Sequence, residues 1–361
     1  MKQRFAFHVC WLFVLASSGI ALAGDHHHPR RHHHRHRAPL ALKTPLQGAV
    51  SNGLAIPSYR EVVDAFVVNV YWKDIQLAPG AAIESDNAID RALDQVRQLE
   101  PELNVKIKLR IFSGIHAPEW AKSMGGEPFW VRDPQGGASG TIGRFWSDKF
   151  GEAYADLQEK LAAQYDGEPE ILEVTISRCS TVYAEPFIRG TADRANIEAF
   201  LAAGYTMEAD QQCQRDAVEA HQVWQSTRSS LAFNPWQFIR PNGTAGTDES
   251  FTEEMMDYCR QSLRERCVLE NNSIRWPPLT GWYPSMYSHI RELGPPITFQ
   301  TAAPSRIGDW WQTLNWAVEQ GANAVELNGS YTQYPLDELA DLDVRLTANP
   351  TSSSAGQENA E

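Results

Sequence analysis

The sequence predicts a single (β/α)8 barrel domain, and three observations lead to it. Short β-branched runs alternate with amphipathic helical stretches, the pattern of a parallel sheet. Eight such units fit the roughly 300 residues from 45 to 346, against about 250 residues for a typical barrel before insertions. An open, doubly wound sheet would carry a Gly-rich turn after its first strand, and no G-x-G-x-x-G occurs.

The elements run as follows. Ala49 to Ile56 supplies a first, weak strand. Val67-Val68-Asn69-Val70-Tyr71-Trp72 is a β-branched second strand, followed by a helix from Asp86 to Leu99 with Ile89, Leu93 and Val96 on one face. Val105 to Ile111 alternates polar and apolar residues as a third strand, and Gly151 to Tyr165 reads as an amphipathic helix. Ile171 to Ile176 is the fourth strand, and Met207 to Ser226 is helical. Leu231-Ala232-Phe233 is a short fifth strand before a helix from Phe251 to Arg266. Val268-Leu269 opens the sixth strand, and Tyr283 to Leu293 is helical. Ile297 to Gln300 is the seventh strand, Trp310 to Glu319 a helix, and Ala324 to Leu327 the eighth strand.

The two ends read differently. Met1 to Arg4 is basic, Phe5 to Ala23 is mostly apolar, and Ala21-Leu22-Ala23 has the small outer residues of a cleavage site. Residues 1–24 are therefore expected to be a secretory signal, which would leave no membrane anchor and a secreted or periplasmic protein. Residues 25–44 form a His/Arg-rich leader. Its imidazoles can bind Zn, Cu or Ni, but it has nothing apolar to bury and is expected to be disordered, like the tail from 347 to 361.

Charge and cysteines bound the chemistry further. The chain carries 32 Lys+Arg and 45 Asp+Glu, of which residues 1–38 hold six and one, so residues 39–361 have a net charge of −18. Such a body repels nucleic acid and suits a neutral or cationic ligand. In an oxidising compartment, Cys179, Cys213, Cys259 and Cys267 are an even set open to three pairings. Cys259 and Cys267 can close a small loop, which would leave Cys179 with Cys213; four buried free thiols are the alternative. No C-x-x-C occurs, and no resident metal or cofactor is expected.

In a barrel the chemistry sits at the carboxyl ends of the strands. Those positions hold Trp72, Lys73 and Asp74 after the second strand, and Arg110, His116, Glu119 and Trp120 after the third. Arg178, Tyr183 and Glu185 follow the fourth strand, and Asn234, Trp236 and Gln237 the fifth. Glu270, Asn271, Asn272 and Trp276 follow the sixth, Gln300 the seventh, and Glu326 and Asn328 the eighth. Carboxylates suit acid–base hydrolysis. Indole rings stack on sugar faces, and amides and Arg bond hydroxyls. Trp72, Asp74, Arg110, His116, Trp120, Tyr183, Trp236 and Gln300 are the candidate carbohydrate contacts, an oligo- or polysaccharide being the expected partner.

Trp72-Lys73-Asp74-Ile75-Gln76-Leu77-Ala78-Pro79-Gly80, with Ile89-Asp90-Arg91-Ala92-Leu93 behind it, resembles the segment after the second strand of clan A glycoside hydrolases. Leu109-Arg110-Ile111 through Ala117-Pro118-Glu119-Trp120 is similar to their third strand, and Trp310 to Glu326 to their last helix and strand. The resemblance covers most of 50–330. It implies a (β/α)8 fold and retaining hydrolysis by two Glu at the ends of strands four and seven. Glu185 sits where the acid/base Glu would be. The sequence departs at strand seven, where Gln300 stands and an amide cannot act as nucleophile. Ala184, not Asn, precedes Glu185.

Three carboxylates are therefore the catalytic candidates. Glu185 is the expected proton donor, unless it merely pairs with Arg189. Glu326, set in an apolar strand, is the second, unless it pairs inside the barrel with Arg110 or Arg178. Glu270 is held in reserve. The expected activity is glycosidic bond cleavage. A barrel that binds glycan without cutting it is the alternative that Gln300 favours.

Overall fold

The computed structural model describes residues 41–99 and 103–352. Strands β1 (Gly48–Asn52), β2 (Ala65–Tyr71), β3 (Lys106–Phe112), β4 (Ile171–Thr175), β5 (Arg228–Ala232), β6 (Cys267–Ile274), β7 (Ile297–Thr301) and β8 (Ala324–Glu326) close into one barrel. Every strand is parallel to its sequence neighbours, and β8 pairs with β1 to shut the ring. The longest register runs from Ala65 against Lys106 to Tyr71 against Phe112.

Among the described residues, eight helices of nine or more residues accompany the barrel: α1 (Ala88–Arg97), α2 (Asp148–Tyr165), α3 (Arg194–Ala202), α4 (Met207–Ala220), α5 (Glu249–Leu263), α6 (Tyr283–Leu293), α7 (Trp310–Glu319) and α8 (Leu336–Thr347). Six of these helices, all but α6 and α8, start where a side-chain oxygen accepts otherwise unpaired amide hydrogens. Asn87 and Asp90 form a reciprocal capping box on α1. Ser147, Thr206, Asp248 and Asp309 cap α2, α4, α5 and α7.

Four further features had no counterpart in the sequence reading. They are α3, α8 and two antiparallel hairpins, Phe129–Arg132 with Ser139–Ile142 and Trp236–Ile239 with Ala245–Asp248. The hairpin strands are short, and the two return strands contain Gly and little apolar residue, so no periodicity marks them. Helix α8 seals the first strand, because Asp343 accepts the Ala49 amide at 2.9 Å.

Packing extends past both expected limits of the barrel domain. Lys43 Nζ donates to the carbonyls of Glu168 and Ile171 at 2.7 and 2.8 Å. Asn349 donates to the carbonyls of Val318 and Ala322. The expected signal, most of the leader and most of the tail lie outside the described residues. No helix among the described residues is long and apolar enough to cross a membrane.

Successive inward residues of a strand climb toward the mouth. A small apolar cluster inside the barrel (Leu46, Val50, Ala65, Val67, Leu172, Ala324) is separate from the main core. Ionic residues join it in the interior. Lys108 Nζ lies 2.9 Å from Glu173 and 2.7 Å from Glu270, and all three side chains are buried. Burial works against the Lys108 charge, but the two carboxylates hold it above its ordinary range. With one cation for two acids, burial pushes Glu173 upward.

Both disulfides form: Cys179 with Cys213, and Cys259 with Cys267. The first ties the segment after β4 to α4. The second joins the end of α5 to the start of β6.

Candidate active site

Two positions after Lys108 on β3, Arg110 reaches the next layer toward the mouth. It grips Glu326 at the end of β8 with both terminal nitrogens, Nη1 to Oε1 at 3.1 Å. Burial disfavours the guanidinium charge, and Glu326 more than offsets it. Glu326 and Gln300 are register partners on β8 and β7, so both face the same opening.

The loop after β4 brings the next group. Glu185 lies 3.0 Å from Arg189 through Oε1, while its buried Oε2 has no hydrogen-bond partner. Arg189 also lies over the rings of Tyr183 and Phe187, each at 4.8 Å. Glu185, Arg189 and Tyr183 line a cavity of about 640 Å³ together with Arg110, Glu326, Gln300, Asn328 and the hairpin-loop residues Asp133 and Gln135. Burial first, and then the neighbouring Asp133 carboxylate, push the Tyr183 hydroxyl above its ordinary range. The cavity thus collects two guanidinium–carboxylate pairs, several amides and a phenol at the carboxyl ends of the strands.

Of the predicted site residues, the structure brings Glu185, Glu326, Arg110, Tyr183 and Gln300 to this cavity. Glu270 is elsewhere: it is fully buried below the mouth against Lys108. Trp72 and Trp236 were expected at the rim and lie in the core instead, both with no exposed surface. Trp72 packs edge-on against Trp120, Phe150 and Tyr154, and its indole donates to Gln76. Trp236 packs on Phe251 and donates to Asp210. A large apolar ring next to a strand end gains more by burial than by waiting for a ligand.

Trp120 donates to the Gln76 carbonyl and sits away from the cavity, and Asp74 is exposed on the short turn of helix at Trp72–Ile75. His116 stacks on Tyr71 at 4.2 Å. Burial and the nearby Lys73 and Lys122 lower its pKa to about 4, so the ring is neutral at pH 7. Arg178, the other expected partner for Glu326, instead holds Asp216 at 3.1 Å and the carbonyls of Phe145 and Ser147.

The sequence reading missed Asn52, Asp133, Gln135 and Arg306. Asp133 and Gln135 belong to a D-P-Q-G-G turn whose composition signals a loop but not where it folds back. Among the described residues, one group of potential metal ligands comes together, Cys179, Cys213 and Asp210. Its two sulfurs are joined in the disulfide.

No family model and no curated protein matches the chain. Solved structures do. The catalytic domain of a β-amylase from Paenibacillus polymyxa is 12% identical, with 80% of this chain and 93% of that one covered, at a TM-score of 0.49. Endo-glycoceramidase II from Rhodococcus sp. is 16% identical over 81% of this chain and 76% of that one, at 0.43. A β-galactosidase from the psychrophilic Marinomonas ef1 is 13% identical over 78% of this chain and 54% of that one, also at 0.43.

Proposed function

We propose that the protein is an exported glycoside hydrolase whose proton donor is Glu185 and whose second carboxylate is Glu326. The observation that carries this reading is the shared cavity: carboxylates from the ends of β4 and β8 line one polar opening at the active end of a (β/α)8 barrel. Glu185 Oε2, buried and without a partner, is where a transferable proton or a sugar hydroxyl fits. In the reaction that proton passes to the glycosidic oxygen as the bond to the anomeric carbon breaks. Glu326, oriented by Arg110, either attacks that carbon or takes a proton from the attacking water. Gln300 and Asn328 supply hydrogen bonds to hydroxyls. Two disulfides agree with an exported protein.

Gln300 favours a second reading, a barrel that holds glycan without cutting it. Release of reducing ends from aryl glycosides and polysaccharides, run beside a binding assay on the same compounds, separates the two. For the enzyme, Glu185→Gln should lower turnover about 10²- to 10⁴-fold, the usual worth of a positioned proton donor, with the fold intact by circular dichroism. Turnover equal to the parent would refute the role of Glu185. Binding without release by the parent would favour the second reading.

A further inference from the structure

A second cavity of about 370 Å³ adjoins the first, with Arg189, Asn272, Ser273 and Arg306 lining both. We infer that this cavity receives the carboxylate or sulfate of an acidic sugar residue, held by Arg275 and Arg306. The inference rests on the glycan reading above and names the class of glycan.

The rim arginines differ in one respect. Arg110 is paired with Glu326 and Arg189 with Glu185. Arg275 and Arg306 form no ion pair among the described residues. One acid, Glu249, also lines this second cavity. In a body of net charge −18 from residue 39 onward, two guanidiniums without acid partners in one cavity are a local reversal of sign.

Arg275 is held by its own side chain, whereas Arg306 is exposed and fixed only through its backbone. Arg275 is half-buried and is steered by Ser273, with Nη2 to Oγ at 3.0 Å and Nε to the carbonyl at 3.3 Å. The backbone after β6 is tied to the loop after β7: the Trp276 amide donates to the Ile307 carbonyl at 2.9 Å. Gly308 makes this approach possible. It lies at φ +70°, and a Cβ there would stand 1.8 Å from the Trp276 carbonyl oxygen. The two guanidiniums therefore ride on segments held in fixed relation. A planar fork of donors suits a carboxylate or a sulfate. The rings of Trp282 and Tyr283 line the same cavity and offer faces for a pyranose.

The test uses matched pairs that differ only in charge: polygalacturonate against its methyl ester, carboxymethylcellulose against hydroxyethylcellulose, and dextran sulfate against dextran. Affinity electrophoresis of the full chain should show the acidic member of at least one pair bound ten-fold or more tightly. The carboxylate pairs and the sulfate pair distinguish the two sources of charge. In the R275Q/R306Q double variant the acidic-to-neutral affinity ratio should fall at least ten-fold, and R275K/R306K should recover part of it. Thermal unfolding of each variant checks the fold. Equal affinity for acidic and neutral members, or an unchanged ratio in R275Q/R306Q, would overturn the inference and leave the glycan reading standing. Binding of no member of any pair would overturn both.

Discussion

Lys108 shows what a single side chain does inside this barrel. It is a cation without access to water, held between Glu173 and Glu270. Removing one partner of such a group leaves charge with nothing to offset its lost hydration, and typically costs about 3–5 kcal/mol. Lys108→Met should lower unfolding stability at pH 7 by about that amount, measured by urea titration. A loss below about 1 kcal/mol would show that the triad does not hold the barrel together. At the same scale, Glu326 illustrates the limit of reading a residue by itself. An acid in the run Ala-Val-Glu-Leu must be paired or functional. The structure makes it both a partner of Arg110 and a wall of the cavity.

At the scale of elements, α4 and the Trp236 hairpin meet at Asp210. The carboxyl accepts from Tyr205 at 3.0 Å and from Gln214 and Trp236 at 3.2 Å each. Burial nevertheless pushes it up to about 7 from its ordinary 3.8. Between those values the unfolded chain has lost a proton that the folded chain keeps, so this group makes stability fall as pH rises from about 4 to about 7. In Asp210→Asn that fall should be smaller, and the variant's Tm relative to the parent should be higher at pH 7.5 than at pH 4.5. A Tm difference that is the same at both pH values would refute the assignment.

Across the whole molecule, the two bridges constrain very different loops. The Cys179–Cys213 bridge spans 34 residues and the Cys259–Cys267 bridge spans 8. Chain entropy assigns roughly 4 and 2.5 kcal/mol to loops of these lengths. Cys179→Ala with Cys213→Ala should therefore destabilise the protein more than Cys259→Ala with Cys267→Ala, by guanidinium titration without reductant. The reverse order would mean that native packing, and not the unfolded chain, governs both. The mouth adds a second lesson at this scale. The net charge of the body argues for a neutral or cationic ligand. The arginines around the opening form a field of their own that a total over the chain averages away.

Periodicity along the chain was sufficient for the barrel. All eight strands stand within a few residues of their expected places, because β-branched runs and helical faces are local signals. The roll of strand-end residues likewise reached seven members of the cavity, Arg110, Tyr183, Glu185, Asn272, Gln300, Glu326 and Asn328. What the chain order alone did not decide is which of those residues face the opening. Trp72 and Trp236 follow strands just as Glu185 does, yet their rings turn into helix–barrel packing while the carboxyl turns to the cavity. The fates of Glu270 and Arg178 were also settled by depth and by partners 162 and 38 positions away. Side-chain direction, burial depth and pairing are properties of the closed ring, and they exist only once distant strands meet.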